Sequence, residues 1–570
     1  MISQTKASRI VEALQTANVR CVFGLPGTQT VELFEALRQR GLRTVVATNE
    51  LSAAFMAGGW ARVTGEPGVL LTIPGPGFTW ALTGIAEARL DSVPLLHISG
   101  SPATHPRSQR FRQQEIDQVA IAGPLLKGVI NADLYPDPGV AVLEGLCLAQ
   151  SGEPGPVLLQ VSSAALGVDY AKGPLKPVAV PSVNPERLAA LCARVHHARR
   201  PIFMFGQGTN GCSEHLLDLV ERMNAPVLTT PSARGVISEN HPLNLGFDPF
   251  AASTSDVNEL IASSDLIVVI GCKLSHSGTS GFELDLPADR LVHVDASSEV
   301  VGANYATSLA IVADAGEVVR ALLESSPPRT SWTDAELETW RSRMGERKTR
   351  PHEPRLAGTP AGDPRAFFRA LRRALSNESI LVLDSGVHQI LARRYYRVLA
   401  RCGLITPTDL QSMGFAIPTA IGARIADPKR PVVALVGDGG FAMSSMELLS
   451  AVREGLSLVV IVFVDGAFGQ IRLQQLARYG VAHGVALKTP DLGLLSTAIG
   501  AYHEVVGDDD AESVIRGALA RSGVSIVEVR VGDTLAIRRS AAIARAREVT
   551  RRVAGPRIFR RMKNFFRSSH

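Results

Sequence analysis

Short apolar stretches alternate with helical stretches along almost the whole chain, and this alternation restricts the possible folds more than any other feature. The first examples are a strand in RCVFGLPG, an amphipathic helix in TVELFEALRQRG and a second strand in RTVVAT. A strand that is buried on both faces reads as a continuous apolar run, and a helix between two such strands makes them parallel. The alternation therefore predicts an α/β protein with open parallel sheets.

Two Pro-rich stretches divide the 570-residue chain into three such blocks. The first stretch is GPLKPVAVPSVNPE (173–186), and the second comprises SSPPRTSW and RPHEPRLAGTPAGDPR. This composition is typical of linkers between domains. We therefore expect three consecutive α/β domains and a basic tail, with the following bounds: 1–172, 185–325, 360–535 and 536–570.

The charge of the chain is distributed unevenly. From Arg538 to Arg567 there are eleven Lys or Arg and one acid, Glu548. The net positive charge of this segment is therefore larger than the +5 of the whole chain. The remainder is net negative, which argues against a nucleic-acid partner.

The six cysteines lie at least 20 residues apart, which excludes zinc-type pairs. No apolar run could cross a bilayer and MISQTKASRIVEAL lacks a signal pattern, so we expect a cytoplasmic protein.

The most informative motif is a glycine turn between a strand and a helix, in VVALVGDGGFAMSS. Free backbone N–H groups at such a turn can bind a diphosphate. Asp438 lies at the end of this strand, and Asp465 ends the next strand, with 25 residues between it and Gly439. Two carboxylates, a backbone carbonyl and two phosphate oxygens would provide oxygen ligands for the octahedral shell of Mg²⁺. The segment therefore predicts a diphosphate and metal site, although a purely structural strand-to-helix turn is the alternative.

Taken with the rest of the chain, this segment resembles the thiamine diphosphate-dependent 2-oxoacid enzymes of the acetolactate synthase group, and the resemblance spans about residues 4–530. In that family a GDG motif and a later Asn-Asn or Asn-Asp pair bind Mg²⁺ and the cofactor diphosphate. Val464-Asp465 stands at the position of that pair. The resemblance implies a pyrimidine-binding, a central and a diphosphate-binding domain. It also implies that Asp438, Asp465 and the carbonyl of Ala467 bind the metal.

The resemblance implies further cofactor-binding residues. DSGVHQ contains Gly386 and His388, which approach the diphosphate in the family, and QSMGFAIPTAIG contains Met413, which bends the cofactor by wedging its two rings. The implied cofactor-binding set is Gly386, His388, Met413, Gly437, Asp438, Gly439, Gly440, Asp465, Phe468 and Gly469.

Glu50 begins a helix directly after a strand, in VVATNELSAAFMAGGWARVTG. An acid at this position stabilises a helix by about 0.3–1 kcal/mol through the helix dipole, and this is the structural interpretation. The resemblance implies instead that Glu50 is catalytic, because its counterpart exchanges a proton with the cofactor aminopyrimidine. In the family this glutamate comes from one subunit and the GDG site from the other. The implied assembly is therefore a homodimer at minimum, and we expect a homotetramer.

Three further residues are candidate catalytic groups. Gln114, in FRQQE, stands where the family has an active-site Gln, and a surface Gln is the alternative. PGTQT contains Thr28 and Gln29, where acetolactate synthases usually carry small residues. Their hydroxyl and amide could bind a carboxylate or carbonyl, as polar residues do in non-oxidative decarboxylases, or they could bond their own turn.

The central domain and the tail leave alternatives open. Some family members bind FAD in the central domain, but IGCKLSHSGTSG (270–281) lacks the Arg-Phe-Asp-like run of FAD-binding members, which argues against FAD. In the tail, Ile558, Phe559, Met562, Phe565 and Phe566 fall on one helical face. Such a helix could lie on an anionic membrane, act as a lid or attract an acidic substrate, and a solvated or docked terminus is the alternative.

The leading functional hypothesis is an enzyme that uses thiamine diphosphate and Mg²⁺ to decarboxylate a small, pyruvate-like 2-oxoacid and to join the acyl unit to a second carbonyl. The alternative is a non-oxidative decarboxylase or lyase that acts on a 2-oxoacid or an acyl-CoA and releases an aldehyde. A non-catalytic member of the family is a third hypothesis. The presence of Glu50, Asp438 and Asp465 argues against it.

Overall fold

The computed structural model describes residues 5–101, 113–162, 166–167, 183–248, 250, 253–345 and 353–532. The predicted basic tail and most of the Pro-rich stretch 173–186 lie outside these residues. Within the described ranges, no helix combines the length and the apolar character needed to cross a bilayer.

The first domain contains a sheet of six parallel strands with a hydrophobic core on each face. Its strands are β1 (Cys21–Gly24), β2 (Arg43–Val46), β3 (Gly68–Thr72), β4 (Leu95–Ser101), β5 (Gly128–Asn131) and β6 (Pro156–Ser162). Its helices are α1 (Lys6–Thr16), α2 (Val31–Arg40), α3 (Glu50–Thr64), α4 (Pro76–Leu90), α5 (Gln118–Ala122) and α6 (Pro138–Gln150). The strand order is β2-β1-β3-β4-β6-β5. Phe23 and Val22 pack on opposite faces, as the alternation of side chains along a strand requires.

The central domain contains a second parallel sheet, of five strands. Its strands are β7 (Pro201–Phe205), β8 (Val227–Thr229), β9 (Leu266–Ile270), β10 (Leu291–Asp295) and β11 (Leu309–Val312). Its helices are α7 (Pro185–His197), α8 (Ser213–Met223), α9 (Thr254–Ala262), α10 (Ala315–Glu324) and α11 (Asp334–Gly345). The strand order is β11-β10-β9-β7-β8, which makes this domain an open sheet as well.

The third domain repeats the topology of the first. Its strands are β12 (Arg355–Leu356), β13 (Ile380–Leu383), β14 (Leu404–Ile405), β15 (Val432–Gly437), β16 (Leu458–Val464), β17 (Tyr502–Val505) and β18 (Val524–Gly532). Its helices are α12 (Pro364–Ala374), α13 (Val387–Tyr395), α14 (Ala416–Ala426), α15 (Asp438–Ser444), α16 (Leu448–Arg453), α17 (Gly469–Tyr479), α18 (Leu492–Ile499) and α19 (Ala511–Ala520). Strands β13 to β18 are parallel in the order β14-β13-β15-β16-β18-β17, and β12 adds an antiparallel pairing to β18. The predicted fold class, three consecutive α/β domains with open parallel sheets, is confirmed.

Helices α3 and α14 join the first and third domains through direct backbone contact. A Cβ atom at Gly59 would overlap the carbonyl of Thr419, and one at Gly422 would overlap the carbonyl of Met56. Only glycine allows two helices to approach so closely. Side chains from both domains, including the edge-to-face ring pair of Phe55 and Phe415, therefore form one continuous hydrophobic core.

A buried ion network joins the central and third domains. Arg393 donates from Nε and Nη2 to the Asp248 carboxylate, each at 3.0 Å, and Arg234 donates from Nε to Glu239 at 2.6 Å. Burial by itself would raise the pKa of Asp248, but Arg393 and Arg234 hold that pKa below its usual value. Arg234 also donates to the carbonyl of Tyr396 at 2.6 Å, so the network includes the backbone of the third domain.

We expect Asp248→Asn to lower the stability of the folded chain by about 3–5 kcal/mol, because it leaves the buried guanidinium of Arg393 without its negative partner. Chemical unfolding, monitored through tryptophan fluorescence, measures this loss. The matched control is Asp218→Asn, which removes an exposed pair with Arg222 and should cost less than about 1 kcal/mol. Equal losses in the two variants would contradict the structural role of the buried network.

Candidate active site

The two aspartates that the sequence analysis singled out lie at the same edge of the third sheet. Strands β15 and β16 are parallel neighbours, and Gly437 pairs with Phe463 at their carboxyl ends. Asp438 follows the first strand directly and begins α15, while Asp465 follows the second. Adjacent parallel strands thus bring the two carboxylates together, as the spacing in the sequence predicts.

Hydrogen bonds orient both carboxylates. Oδ2 of Asp438 accepts the N–H of Gly466 at 2.8 Å and the hydroxyl of Thr489 at 2.9 Å. Oδ1 of Asp465 accepts the N–H of Ala467 at 3.0 Å. These bonds hold the loop 465–467, which carries the Ala467 carbonyl, against the carboxylate of Asp438.

A cavity of about 240 Å³ opens over these carboxylates. All ten residues that the resemblance assigns to cofactor binding line this cavity, and so does Ala467. Within the described ranges, every lining residue belongs to the third domain. The cavity is therefore formed by one domain, without the first-domain residues that the sequence analysis predicted to be catalytic.

The glycines beside Asp438 have no room for side chains. A Cβ atom at Gly439 would lie 2.9 Å from the ring of Phe468, and one at Gly440 would lie 2.8 Å from Oδ1 of Asp384. The backbone of this segment therefore lines the cavity directly. A backbone so exposed at a helix N-terminus suits an anionic group such as a diphosphate.

His388 lies in the wall of the cavity. It is 5% exposed, and its Nε2 atom has no hydrogen-bond partner among the residues that the structure describes. Burial lowers the pKa of His388 to about 4, so the ring is neutral at pH 7. An unpartnered buried nitrogen beside the glycine segment fits a bound oxygen-rich ligand.

The carboxylates also fit a metal that binds together with that ligand. The described part of the chain contains no group of three or more His, Cys, Asp or Glu side chains that could hold a metal ion. Asp438, Asp465 and the Ala467 carbonyl provide three hard oxygen ligands, and Mg²⁺ prefers six. Phosphate oxygens would supply the missing ligands, which is the donor set expected for a metal bound to a diphosphate.

Asp384 is a site residue that the sequence analysis did not assign, although it begins the DSGVHQ motif. Its buried carboxylate accepts the N–H groups of Ser385 at 2.9 Å, Gly414 at 3.1 Å and Ala416 at 2.9 Å. Burial raises the pKa of Asp384 to about 6, and these hydrogen bonds oppose the rise. Asp384 therefore holds the loop that carries Met413.

Glu87, in α4 of the first domain, contacts the same loop from the other side. Its Oε2 atom accepts the N–H of Ser412 at 3.1 Å. Burial, followed by the nearby charge of Asp91, raises the pKa of Glu87 to about 7, while Arg62 opposes the rise. This contact joins residues far apart in the chain, so no local motif reveals it. Ser412, directly before Met413, is thus held by the first domain, and Gly414, directly after it, is held by the third.

The first-domain candidates surround the turn that leads into α4. A Cβ atom at Gly77 would lie 2.7 Å from Oε1 of Glu50, and one at Gly75 would lie 2.7 Å from Cβ of Gln114. The Oε1 atom of Gln114 is buried and has no partner in the described part of the chain. Glu50 and Gln114 therefore lie at one end of the first sheet.

Thr28 and Gln29 lie in a short 3₁₀ turn, Thr28–Thr30. The side-chain hydrogen bond within this turn is made by Thr30, whose Oγ1 atom accepts the N–H of Gly27 at 3.1 Å. The side chain of Gln29 approaches Gly100 at the end of β4, and Thr28 is exposed. The hydroxyl of Thr28 is thus open to solvent, and the placement of Thr28 and Gln29 beside reacting groups stays a prediction.

A second cavity, of about 170 Å³, lies between the central domain and residues of the first and third domains, among them Asp91 and Asp409. Five carboxylates and one ammonium group line it, and the ammonium of Lys273 pairs with Glu153 at 2.9 Å. The five carboxylates belong to Asp91, Glu153, Asp295, Asp314 and Asp409. Burial raises the pKa of Asp295 to about 6. The prediction against FAD, which rests on the sequence of residues 270–281, stays a prediction.

Comparison with known proteins gives three matches to thiamine pyrophosphate enzyme domains. Residues 4–121 match the N-terminal TPP binding domain, residues 188–322 the central domain and residues 384–529 the C-terminal TPP binding domain. These matches cover the first, central and third domains in turn.

Whole-length relatives are similar to the chain over nearly all of both sequences. The large subunit of acetolactate synthase isozyme 1 from Escherichia coli K12 is 28% identical, over 92% of this chain and 94% of that protein. A probable 2-ketoarginine decarboxylase from Pseudomonas aeruginosa is 30% identical, with the same coverage of 92% and 94%. A probable acetolactate synthase large subunit from Methanocaldococcus jannaschii is 27% identical, over 93% and 92%.

The raised pKa of Glu87 predicts a pH-dependent stability. Between pH 4.5 and about 7 the folded chain holds a proton on Glu87 that the unfolded chain has released. The stability associated with the neutral Glu87 is therefore complete below pH 4.5 and is lost as the pH rises through 7. Glu87→Gln, which keeps an oxygen acceptor for Ser412, should therefore raise stability at pH 8 by about 1–3 kcal/mol.

Thermal unfolding from pH 4.5 to 8.5 measures this effect. The control is Glu66→Gln, which alters an exposed pair with Arg20 and should leave the pH profile unchanged. If Glu87→Gln keeps the wild-type profile, the buried carboxyl does not have the role assigned to it.

Proposed function

Because this chain belongs to the thiamine pyrophosphate enzyme family, in its acetolactate synthase group, we propose that it uses thiamine diphosphate and Mg²⁺ to decarboxylate a small 2-oxoacid and to join the acyl unit to a second carbonyl. The observation that supports this most is the cavity over Asp438 and Asp465. It combines two strand-end carboxylates, a glycine-lined backbone and the neutral ring of His388. These groups suit a diphosphate and its metal ion.

Each part of the chain has a defined task in this proposal. When bound, thiamine diphosphate supplies the electron sink for the loss of CO₂. Asp438, Asp465 and the Ala467 carbonyl would hold the metal, and the Met413 side chain would support the cofactor in the cavity that it lines. The carboxyl of Glu50 exchanges a proton with the aminopyrimidine, which is general acid–base catalysis by the protein.

We further propose that the working unit is a homodimer, with a homotetramer as a pair of dimers. In the described part of the chain no first-domain residue lines the third-domain cavity, which supports a site that Glu50 enters from another subunit. Large apolar side chains near the site elements are free to form that interface. Trp80 on α4 is 62% exposed, and Met443 and Met446 after the GDG motif are 57% and 51% exposed.

A decarboxylase that releases an aldehyde is the second candidate function. The side chains of Thr28 and Gln29 support it, because they place a hydroxyl and an amide where acetolactate synthases usually have small residues. The relative from Pseudomonas aeruginosa is named as a probable 2-ketoarginine decarboxylase, and it is as similar to this chain as the acetolactate synthases are. Both candidate reactions release CO₂, and they differ in the organic product.

Product analysis separates the two candidates. We expect the purified protein, with thiamine diphosphate and Mg²⁺, to release CO₂ from at least one member of a panel of 2-oxoacids that includes pyruvate and 2-ketoarginine. Mass spectrometry of the organic product should show a condensed 2-hydroxy acid or acyloin. An aldehyde would establish the second candidate, and tight cofactor binding without CO₂ release from any 2-oxoacid would reject both.

Glu50→Gln should abolish or greatly reduce turnover while the chain still folds, because an amide cannot exchange the proton. The expected loss in kcat is about 10²–10⁴-fold, which is typical for removal of a general acid–base group. The matched control is Glu32→Gln, since Glu32 also lies in the first turn of a helix and is exposed. An unchanged kcat in Glu50→Gln would leave Glu50 with the structural role only.

A further inference from the structure

The third domain holds the segment that leads into Glu50 of the same chain. The Glu447 carboxylate accepts the N–H of Thr48, with both oxygens 3.1 Å from the nitrogen, and it also accepts the hydroxyl of Thr48. Thr48 lies two residues before Glu50, and Asn49 between them caps α3 through the N–H of Ser52 at 2.8 Å. The direction in which α3 begins is therefore fixed by a carboxylate from another domain.

Three more contacts from the same helical segment support this arrangement. The hydroxyl of Ser450 donates to the Val46 carbonyl at 3.2 Å, and Arg453 donates to the same carbonyl. Arg43, at the start of β2, pairs with Glu454 at 3.0 Å. Residues 447–454 thus contact both ends of the segment 43–48, and we name them the 447–454 clamp.

Glu447 is an acidic residue in a buried position. Glu447 is 1% exposed, and it forms no ion pair with any residue in the described ranges. A buried carboxylate without a cation is costly unless hydrogen bonds compensate for the lost water. The donors present are the N–H and O–H of Thr48, so the hydrogen bonds that satisfy the buried carboxyl of Glu447 also orient the approach to Glu50.

We propose that Glu447 is a positioning residue for Glu50. It fixes the backbone at Thr48 and thereby the place from which the Glu50 carboxyl meets the aminopyrimidine. The inference rests on the proposed function, because only there does Glu50 have a catalytic task. Glu447 also lies nine residues after Asp438, at the end of the helical turns that begin with the GDG motif. The element that binds the diphosphate therefore also positions Glu50.

Two variants from opposite sides of the contact test this proposal. Glu447→Gln removes the charge at nearly constant volume, and Thr48→Val removes the hydroxyl while keeping the N–H. In each, hydrogen–deuterium exchange of the full-length protein should show faster exchange of the backbone amides of residues 46–50. For loss of a hydrogen bond to a charged group, an increase of about tenfold to hundredfold is expected.

Kinetics then separate positioning from mere stability. We expect kcat to fall about tenfold to hundredfold in both variants, as for a small misplacement of a catalytic group, while KM and the affinity for thiamine diphosphate with Mg²⁺ stay within about twofold. Thr48→Ser should restore kcat because it keeps the hydroxyl. The control is Glu144→Gln, a half-buried glutamate that accepts the Tyr135 hydroxyl at 2.9 Å, and it should change neither quantity.

Two results would overturn the proposal. One is unchanged exchange at residues 46–50 in both variants, and the other is faster exchange with an unchanged kcat. The exchange measurement needs no substrate, so it tests the clamp even if the wild-type protein turns over none of the 2-oxoacids. In that case the failure belongs to the proposed function and is recognised before the variants are compared.

Discussion

The close packing of α3 on α14 is the contact on which the rest of the site depends. Gly59 and Gly422 let the two helices meet backbone to backbone, so the first and third domains share one core. Glu50 begins α3, and the loop with Met413 leads directly into α14. The packing therefore fixes Glu50 and Met413 on one rigid unit, and Met413 also lines the cavity proposed for the diphosphate. No first-domain residue in the described ranges lines that cavity, and in the proposed function Glu50 reaches it from a second copy of the chain.

Buried carboxylates refine this arrangement. Asp384 and Glu87 hold the loop around Met413 from two domains, and Glu447 holds the residue two positions before Glu50. Each accepts a backbone N–H and so fixes a main-chain atom, which an apolar side chain could not do. A buried acid is less favourable for stability than a well-packed apolar group. Their presence around the functional loops indicates that the fold sacrifices some stability for the geometry of the site.

The sequence predicted the central strands and the diphosphate corner because both depend on local patterns. Runs such as LVVIVFV are buried on both faces, and the GDG spacing places Asp438 and Asp465 on neighbouring strands. Strands β5, β11 and β17 are harder to predict, because each has four residues and lies at a sheet edge, where water contacts one side and the apolar run is lost. The roles of Glu87 and Glu447 could not be predicted from the sequence for a different reason. Their partners lie 325 and 399 residues away in the chain, and only the packed domains bring them together.

The assembly of the site from two chains is the central claim, and hybrid dimers test it most directly. Glu50→Gln and Asp438→Ala chains, each with its own affinity tag, would be co-expressed, and the mixed dimers isolated through both tags. Each variant alone should be inactive. In the hybrid, one site contains both substitutions and the other contains neither, so the account predicts that about half of the wild-type turnover per dimer returns. Hybrid dimers that bind thiamine diphosphate and yet stay as inactive as the single variants would contradict it.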